Sequence, residues 1–297
     1  MIGIVTGLVL VLTLNSVSVQ CWIPRGSQIL FVLPNYTAKC PKKWTDVNKK
    51  HTMCLTDAPG ATRVLLESKE RQWIVDTHNE IRANVTPKAA AMPALVWDRR
   101  LAEVASKLTM QCKFGHDAWG ARQIPGYQGI SVGQNTAAGQ PDFESAIRTW
   151  YNENKYWRYG MPWNPKYGHY LQQIHARTTR IGCGMAKCAG ASYSTFFVCN
   201  YAKSLVRGNP YGSAKVSCKK CPDKCVKNLC DCKGRLCYNG KRLNPTTCKC
   251  ECGKLFRGDQ CQNKNCPGME ENWCSNTLDC TNTFYIGYCT KTCKWCP

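Results

Sequence analysis

The chain holds 23 cysteines in 297 residues. An apolar run from Ile2 to Leu14, closed by the small residues Asn15-Ser16-Val17-Ser18, predicts a secretory signal peptide over residues 1–18, so cysteine at this density reads as structural disulfides. Cleavage after Ser18 leaves Cys21 in the product and the count odd; a cut a few residues later makes it even. Gly129-Ile130-Ser131-Val132-Gly133 fits the pattern of a serine nucleophile poised between a strand and a helix. Pro125-Gly126 before it and Asn135 and Gly139 after it deny that context. No His-Glu-x-x-His zinc helix occurs either. One carboxylate stands out: Glu153 continues the apolar stripe Phe143, Ala146, Ile147, Trp150, where a charged side chain needs a reason.

The elements that must carry such groups are legible in outline. Ile74, His78, Ile81 and Val85 share one helical stripe; on a buried stripe His78 is a packing histidine rather than a site residue. Asp98 is a good N-cap for a second helix with Leu101, Val104, Ala105, Leu108 and Cys112 on one face. A third helix follows Pro141-Asp142. Residues 169–174, 181–185 and 195–201 read as strands. Helices first and strands later predict an α+β layered domain. The formal charge of +21 comes from Lys and Arg scattered between cysteines. In a secreted chain that points to acidic cell surfaces or anionic channel mouths, not to nucleic acid. No second apolar run is long enough to span a bilayer.

Aliphatic residues thin out after Lys215, where cysteines recur every few positions; such a segment buries little core and depends on disulfides. The expected organisation is a disulfide-tied irregular arm over 19–69, a main domain over 70–211, a hinge over 212–232 and small modules over 233–261 and 266–296. N-glycosylation acceptors are Asn35 and Asn84.

His78-Asn79-Glu80-Ile81-Arg82, Gly168-His169-Tyr170-Leu171-Gln172 and Phe197-Val198-Cys199-Asn200-Tyr201 resemble the signature segments of the CAP superfamily. The resemblance implies a three-layer α-β-α sandwich and disulfides joining Cys112 with Cys188 and Cys183 with Cys199. The hinge cysteines Cys218, Cys221, Cys225 and Cys230 resemble those of cysteine-rich secretory proteins, and the arm and tail are most similar to the cysteine-rich venom proteins of cone snails. The residues 233–261 resemble an EGF-like module, which contains Arg257-Gly258-Asp259. The residues 266–296 resemble a sea-anemone ShK-type toxin module, although their Thr283-Phe284-Tyr285 loop lacks the pore lysine.

In CAP proteins two histidines and two acids face a cleft. The matching positions are His116, Gln134, Glu153 and His169, with Gln134 in place of a glutamate. The resemblance makes His116, Glu153 and His169 the catalytic candidates and His116 and His169 the metal candidates. Two histidines fall short of the three protein ligands usual for catalytic zinc, so no cofactor is required and zinc or another divalent cation is expected to bind weakly. An amide cannot act as a general base. The expected function is therefore binding of an extracellular protein target, such as an ion channel. The alternative is a secreted endopeptidase that processes toxin precursor peptides.

Overall fold

The computed structural model describes residues 11–13, 16–18, 40–266 and 270–296. Residues 1–39 and 40–297 form separate compact units. In the first, β1 (Val11–Thr13) and β2 (Ser16–Ser18) pair antiparallel. The rest of the expected signal peptide, Cys21 and Asn35 lie outside the described residues.

The second unit begins with α1 (Lys42–Thr45), which buries Trp44 beside the Cys40–Cys54 disulfide. The segment expected to be irregular then supplies a strand, β3 (Ala61–Val64). α2 (Ser68–Ala83) starts at a capping box in which Glu67 and Glu70 satisfy each other's backbone N–H groups. It buries Ile74, Val75, His78 and Arg82, one face at helical spacing. β4 (Val96–Trp97) leads into α3 (Arg99–Thr109), whose N-cap Asp98 accepts from the N–H groups of Arg100 and Leu101. β5 (Val132–Ala138), α4 (Phe143–Tyr151), α5 (Gly168–Gln173), β6 (Arg180–Cys188) and β7 (Thr195–Ala202) complete the domain.

The strands form one sheet in the order β3-β6-β7-β5, all neighbours antiparallel, with β4 parallel to the start of β6. Alternation along β7 divides the core. Phe197, Cys199 and Tyr201 pack with Ile74, Ile147 and Trp150 of α2 and α4, whereas Phe196 and Val198 pack with Ala105 and Leu108 of α3. A helix on each face of a sheet gives three layers. α3 lies so close to β6 that a Cβ on Gly182 would stand 2.3 Å from the Ala102 nitrogen, and one on Gly184 2.4 Å from the Ser106 Cα. Cys183 and Cys199 are opposite one another in the β6–β7 register and are bonded.

Two expectations change. Residues 169–174 are not a strand: Tyr170 and Leu171 of α5 and its C-cap Ile174 are buried in a single cluster with Met92, Trp157 and Tyr211. Cys112 is not on α3, which ends at Thr109. It sits in a left-handed turn (φ 45°), half-buried, and bonds Cys188.

Beyond β7 the chain changes character. Short antiparallel pairs follow: β8 (Cys225–Val226) with β9 (Leu229–Cys230), β10 (Arg242–Asn244) with β11 (Lys249–Glu251), and β12 (Phe256–Arg257) with β13 (Asn263–Lys264). A last helix, α6 (Thr283–Tyr288), comes before the final three cysteines. Disulfides close three successive sets. The first joins Cys218 to Cys225 and Cys221 to Cys230; the second joins Cys232 to Cys248, Cys237 to Cys250 and Cys252 to Cys261. The third joins Cys266 to Cys296, Cys274 to Cys289 and Cys280 to Cys293. Every cysteine from Cys40 onward is thus paired, and Cys21 is the one left over.

Candidate functional site

Four separated segments bring the cleft residues together. His116 lies in the loop after α3, Gln134 on β5, Glu153 in the 3-10 turn Asn152–Tyr156 that continues α4, and His169 on α5. The stripe that made Glu153 conspicuous in the sequence is the reason it arrives here: Trp150 fills the core one turn earlier.

The orientation of Gln134 follows by elimination. Asn200 donates from Nδ2 to the Leu101 carbonyl at 3.3 Å, so its Oδ1 accepts. Gln134 Nε2 donates to that oxygen at 3.0 Å and to Asp117 Oδ1 at 3.2 Å. Gln134 Oε1 therefore faces His116 Nδ1, at 2.8 Å. An amide oxygen only accepts, so the neutral ring carries its proton on Nδ1 and its lone pair on Nε2. His169 is set the same way, with Nδ1 2.6 Å from Glu153 Oε1. The other Glu153 oxygen accepts from the Tyr170 N–H at 3.0 Å. Both imidazoles keep Nε2 free of these partners, and their rings stand 6.2 Å apart, tilted by 32°.

Desolvation by the surrounding protein holds the His116 pKa below the ordinary histidine value, although one edge of the ring reaches solvent. The Gln134 bond and Asp117 oppose this shift, while Arg122 and His169 add to it. The shift favours the neutral imidazole, the form that binds metals.

Several residues that position the site carry no motif. Asp117 is paired with Arg122 at 2.5 Å and also accepts from the Thr52 hydroxyl. Asn135 donates to the His169 carbonyl at 3.0 Å. Arg82 is buried without a carboxylate; its guanidinium donates to the carbonyls of Pro93, Gln173, His175 and Thr178 at 2.8–3.2 Å. These bonds tie α2 to the end of α5, and burial lowers the Arg82 pKa to about 9. The available signal was polar residues on buried strands: Asn200 interrupts the apolar run of β7, and Gln134, Asn135 and Thr136 stand together on buried β5.

Other singled-out residues lie elsewhere. His78 is buried, its ring nitrogens 2.8 Å from the Ile74 carbonyl and 3.1 Å from the Tyr201 hydroxyl. Ser131 comes just before β5, with no strand leading into it and no helix after it. Asn84 is exposed at the end of α2, its amide on the Glu80 carbonyl at 3.0 Å. Cys218, Cys221 and Cys230 are spaced like metal ligands, but each sulfur is in a disulfide. No helix among the described residues is long and apolar enough to cross a membrane.

Residues 75–201 match the profile of the cysteine-rich secretory protein (CAP) family. The chain is 41% identical over 252 residues to a cysteine-rich venom protein of Conus marmoreus, covering 83% of this chain and 84% of that one. It is 41% identical over 244 residues to a cysteine-rich venom protein of Conus textile, covering 78% and 79%. Among solved structures, the venom allergen-like protein 4 of Schistosoma mansoni aligns with 50% of this chain and 97% of its own at 26% identity, with a TM-score of 0.44.

Proposed function

Because the chain belongs to the cysteine-rich secretory protein family, we propose that it is a secreted venom-type protein that binds an extracellular target of the ion-channel class. The observation that carries this over hydrolysis is the clamped Gln134. An amide stands where proton transfer needs an acid, and Asn200 and Asp117 hold it with its oxygen toward His116. Both oxygens of Glu153 are likewise occupied. The cleft is built to present two imidazole lone pairs rather than to deprotonate a water.

The tail supplies a surface suited to a protein partner. Trp273 and Phe284 are 46% and 55% exposed and stack 6.2 Å apart, with Tyr285 and Tyr288 in the same cluster. The loop itself has no lysine, but Lys254 from the preceding module stands 3.3 Å over the Tyr288 ring. Exposed aromatics beside a cation are the usual composition of a binding surface. We read residues 233–261 and 266–296 as the EGF-like and ShK-type modules; disulfide sets that close over 232–261 and 266–296 support this, with Cys232, at the end of the expected hinge, bonded into the first.

Two imidazoles bound through Nε2 to one ion at about 2.0–2.1 Å have centroids about 5–6 Å apart; the two rings, at 6.2 Å, need only a small closing shift to take a divalent cation such as zinc. His116 and His169 would hold it, oriented by Gln134 and Glu153, with water in the remaining positions and therefore weak affinity. That fit favours one second reading, an endopeptidase acting on precursor peptides, in which the ion would polarise a carbonyl.

Current recordings with the full chain over a broad panel of cation channels test the leading reading. Block is expected, and Phe284→Ala with Lys254→Ala should abolish it while His116→Ala with His169→Ala leaves it intact. No current change across the panel overturns it. Peptide cleavage by the wild type and the double histidine variant, with and without zinc, tests the second. Equal residual activity removes the cleft as a protease site.

A further inference from the structure

We propose that Arg177, Lys203, Arg235, Lys241 and Arg242 form a binding site for the sulfate groups of an extracellular sulfated glycan. The five line a cavity of about 290 Å³ between the main domain and the first tail module, and no carboxylate is on its walls. Arg177 lies in the loop between α5 and β6, Lys203 follows β7, and Arg242 begins β10.

Several buried or half-buried cations elsewhere in the domain are compensated. Arg122 pairs with Asp117, Arg180 with Asp98 and Lys107 with Asp57; Arg82 has its carbonyls. None of the five cavity cations is in an ion pair among the described residues. The Lys203 ammonium donates to the Lys241 carbonyl at 2.6 Å and has two further donors. The Arg177 and Arg242 guanidiniums make no hydrogen bond among the described residues. Burial, then the nearby Arg177 and Arg242, push the Lys203 pKa down to about 8.

Thr179 also lines the cavity, but its hydroxyl is buried, so the cavity's donors are the cations. Guanidinium forks and ammonium groups form a donor set matched to a tetrahedral oxyanion.

The extent of the basic surface favours a chain of such groups over a single ion. Arg235 also borders a neighbouring cavity that carries Lys224, Lys233 and Lys249 together with Asp223 and Asp231. The half-buried Arg177, Lys203, Arg235 and Lys241 suit sulfates on projecting sugar arms, whereas an anionic bilayer offers its charge in one plane. This site is separate from the histidine cleft and from the aromatic face of the last module.

The test uses the full chain and a heparin-derived hexasaccharide at about 0.15 M salt. Arg177→Gln, Lys203→Gln and Arg242→Gln together should weaken binding by about tenfold or more. Lys43→Gln, Lys69→Gln and Lys88→Gln, an equal loss of charge elsewhere, should weaken it by less than about twofold. Equal loss in the two variants overturns the site, as does tighter binding to phosphatidylserine vesicles than to the hexasaccharide, or undiminished competition by desulfated heparin. Should the triple variant misfold, amine labelling of the wild type decides. Lys203 and Lys241 are expected to be protected severalfold by the hexasaccharide while Lys43 and Lys69 are not; uniform protection overturns the proposal.

Discussion

The two halves of this protein hold their functional groups by different physics. In the main domain His116, Gln134, Glu153 and His169 come from four segments and are aligned by a packed sheet core and by buried polar clamps such as Arg82. After β7 each disulfide set spans one short stretch, and the aromatic face of the last module stays exposed. A core fixes distances between remote residues, while local crosslinks limit what the unfolded chain can do. The cleft therefore depends on the whole domain, and the tail surface on its own loop closures and on Lys254 of the preceding module.

The strongest way to break this contrast is at Arg82. Its replacement by Met strands four buried carbonyls and is expected to lower unfolding free energy by about 4 kcal/mol, read from the denaturant midpoint. A loss below about 1 kcal/mol would show that the clamp is dispensable. Next is the paired change Cys232→Ser and Cys248→Ser, expected to destabilise the first tail module by about 3 kcal/mol. Limited proteolysis should then cut the tail severalfold faster with no acceleration within residues 75–201; faster cleavage of the sheet would erase the distinction.

Acid should act on the main domain first. His78 and His175 are buried, and desolvation lowers their pKa values to about 4 and about 3 against an ordinary 6.5. Between pH 6.5 and those values the unfolded chain binds protons that the native chain does not, so stability rises with pH across that window. Above 6.5 the contribution is fully present, and as pH falls it is lost, on the order of a few kcal/mol. All five histidines precede β7, so denaturation followed at Trp150 and at Trp273 should separate as pH falls from 6.5 to 4. Coincident shifts would contradict this. The smallest effect is expected from Gln134→Glu. A carboxylate facing His116 Nδ1 should raise the imidazole pKa and strengthen zinc binding by about tenfold, measured by titration calorimetry; unchanged affinity would mean that Gln134 does not orient His116.

Much of the domain was legible before the structure. The stripes of α2, α3 and α4 and the caps at Asp98 and Asp142 are local patterns, and local patterns are written in neighbouring residues. Short α5 was misjudged because six residues rich in aromatic and apolar types satisfy strand and helix alike, and only the facing cluster with Trp157 and Tyr211 chooses. The strand β3 was missed because its partner, β6, is more than a hundred residues away.

By itself the sequence determined the disulfide-dependent tail, the layered class of the main domain and the family pattern in which Gln134 replaces an acid, since each rests on residue type and short-range spacing. Only the tertiary structure decided which way the Gln134 amide points, which lone pairs the histidines present, and that five cations without ion pairs line one cavity. Those depend on contacts between segments far apart in the chain, where hydrogen-bond direction and missing counter-charge arise from packing and have no signature in spacing.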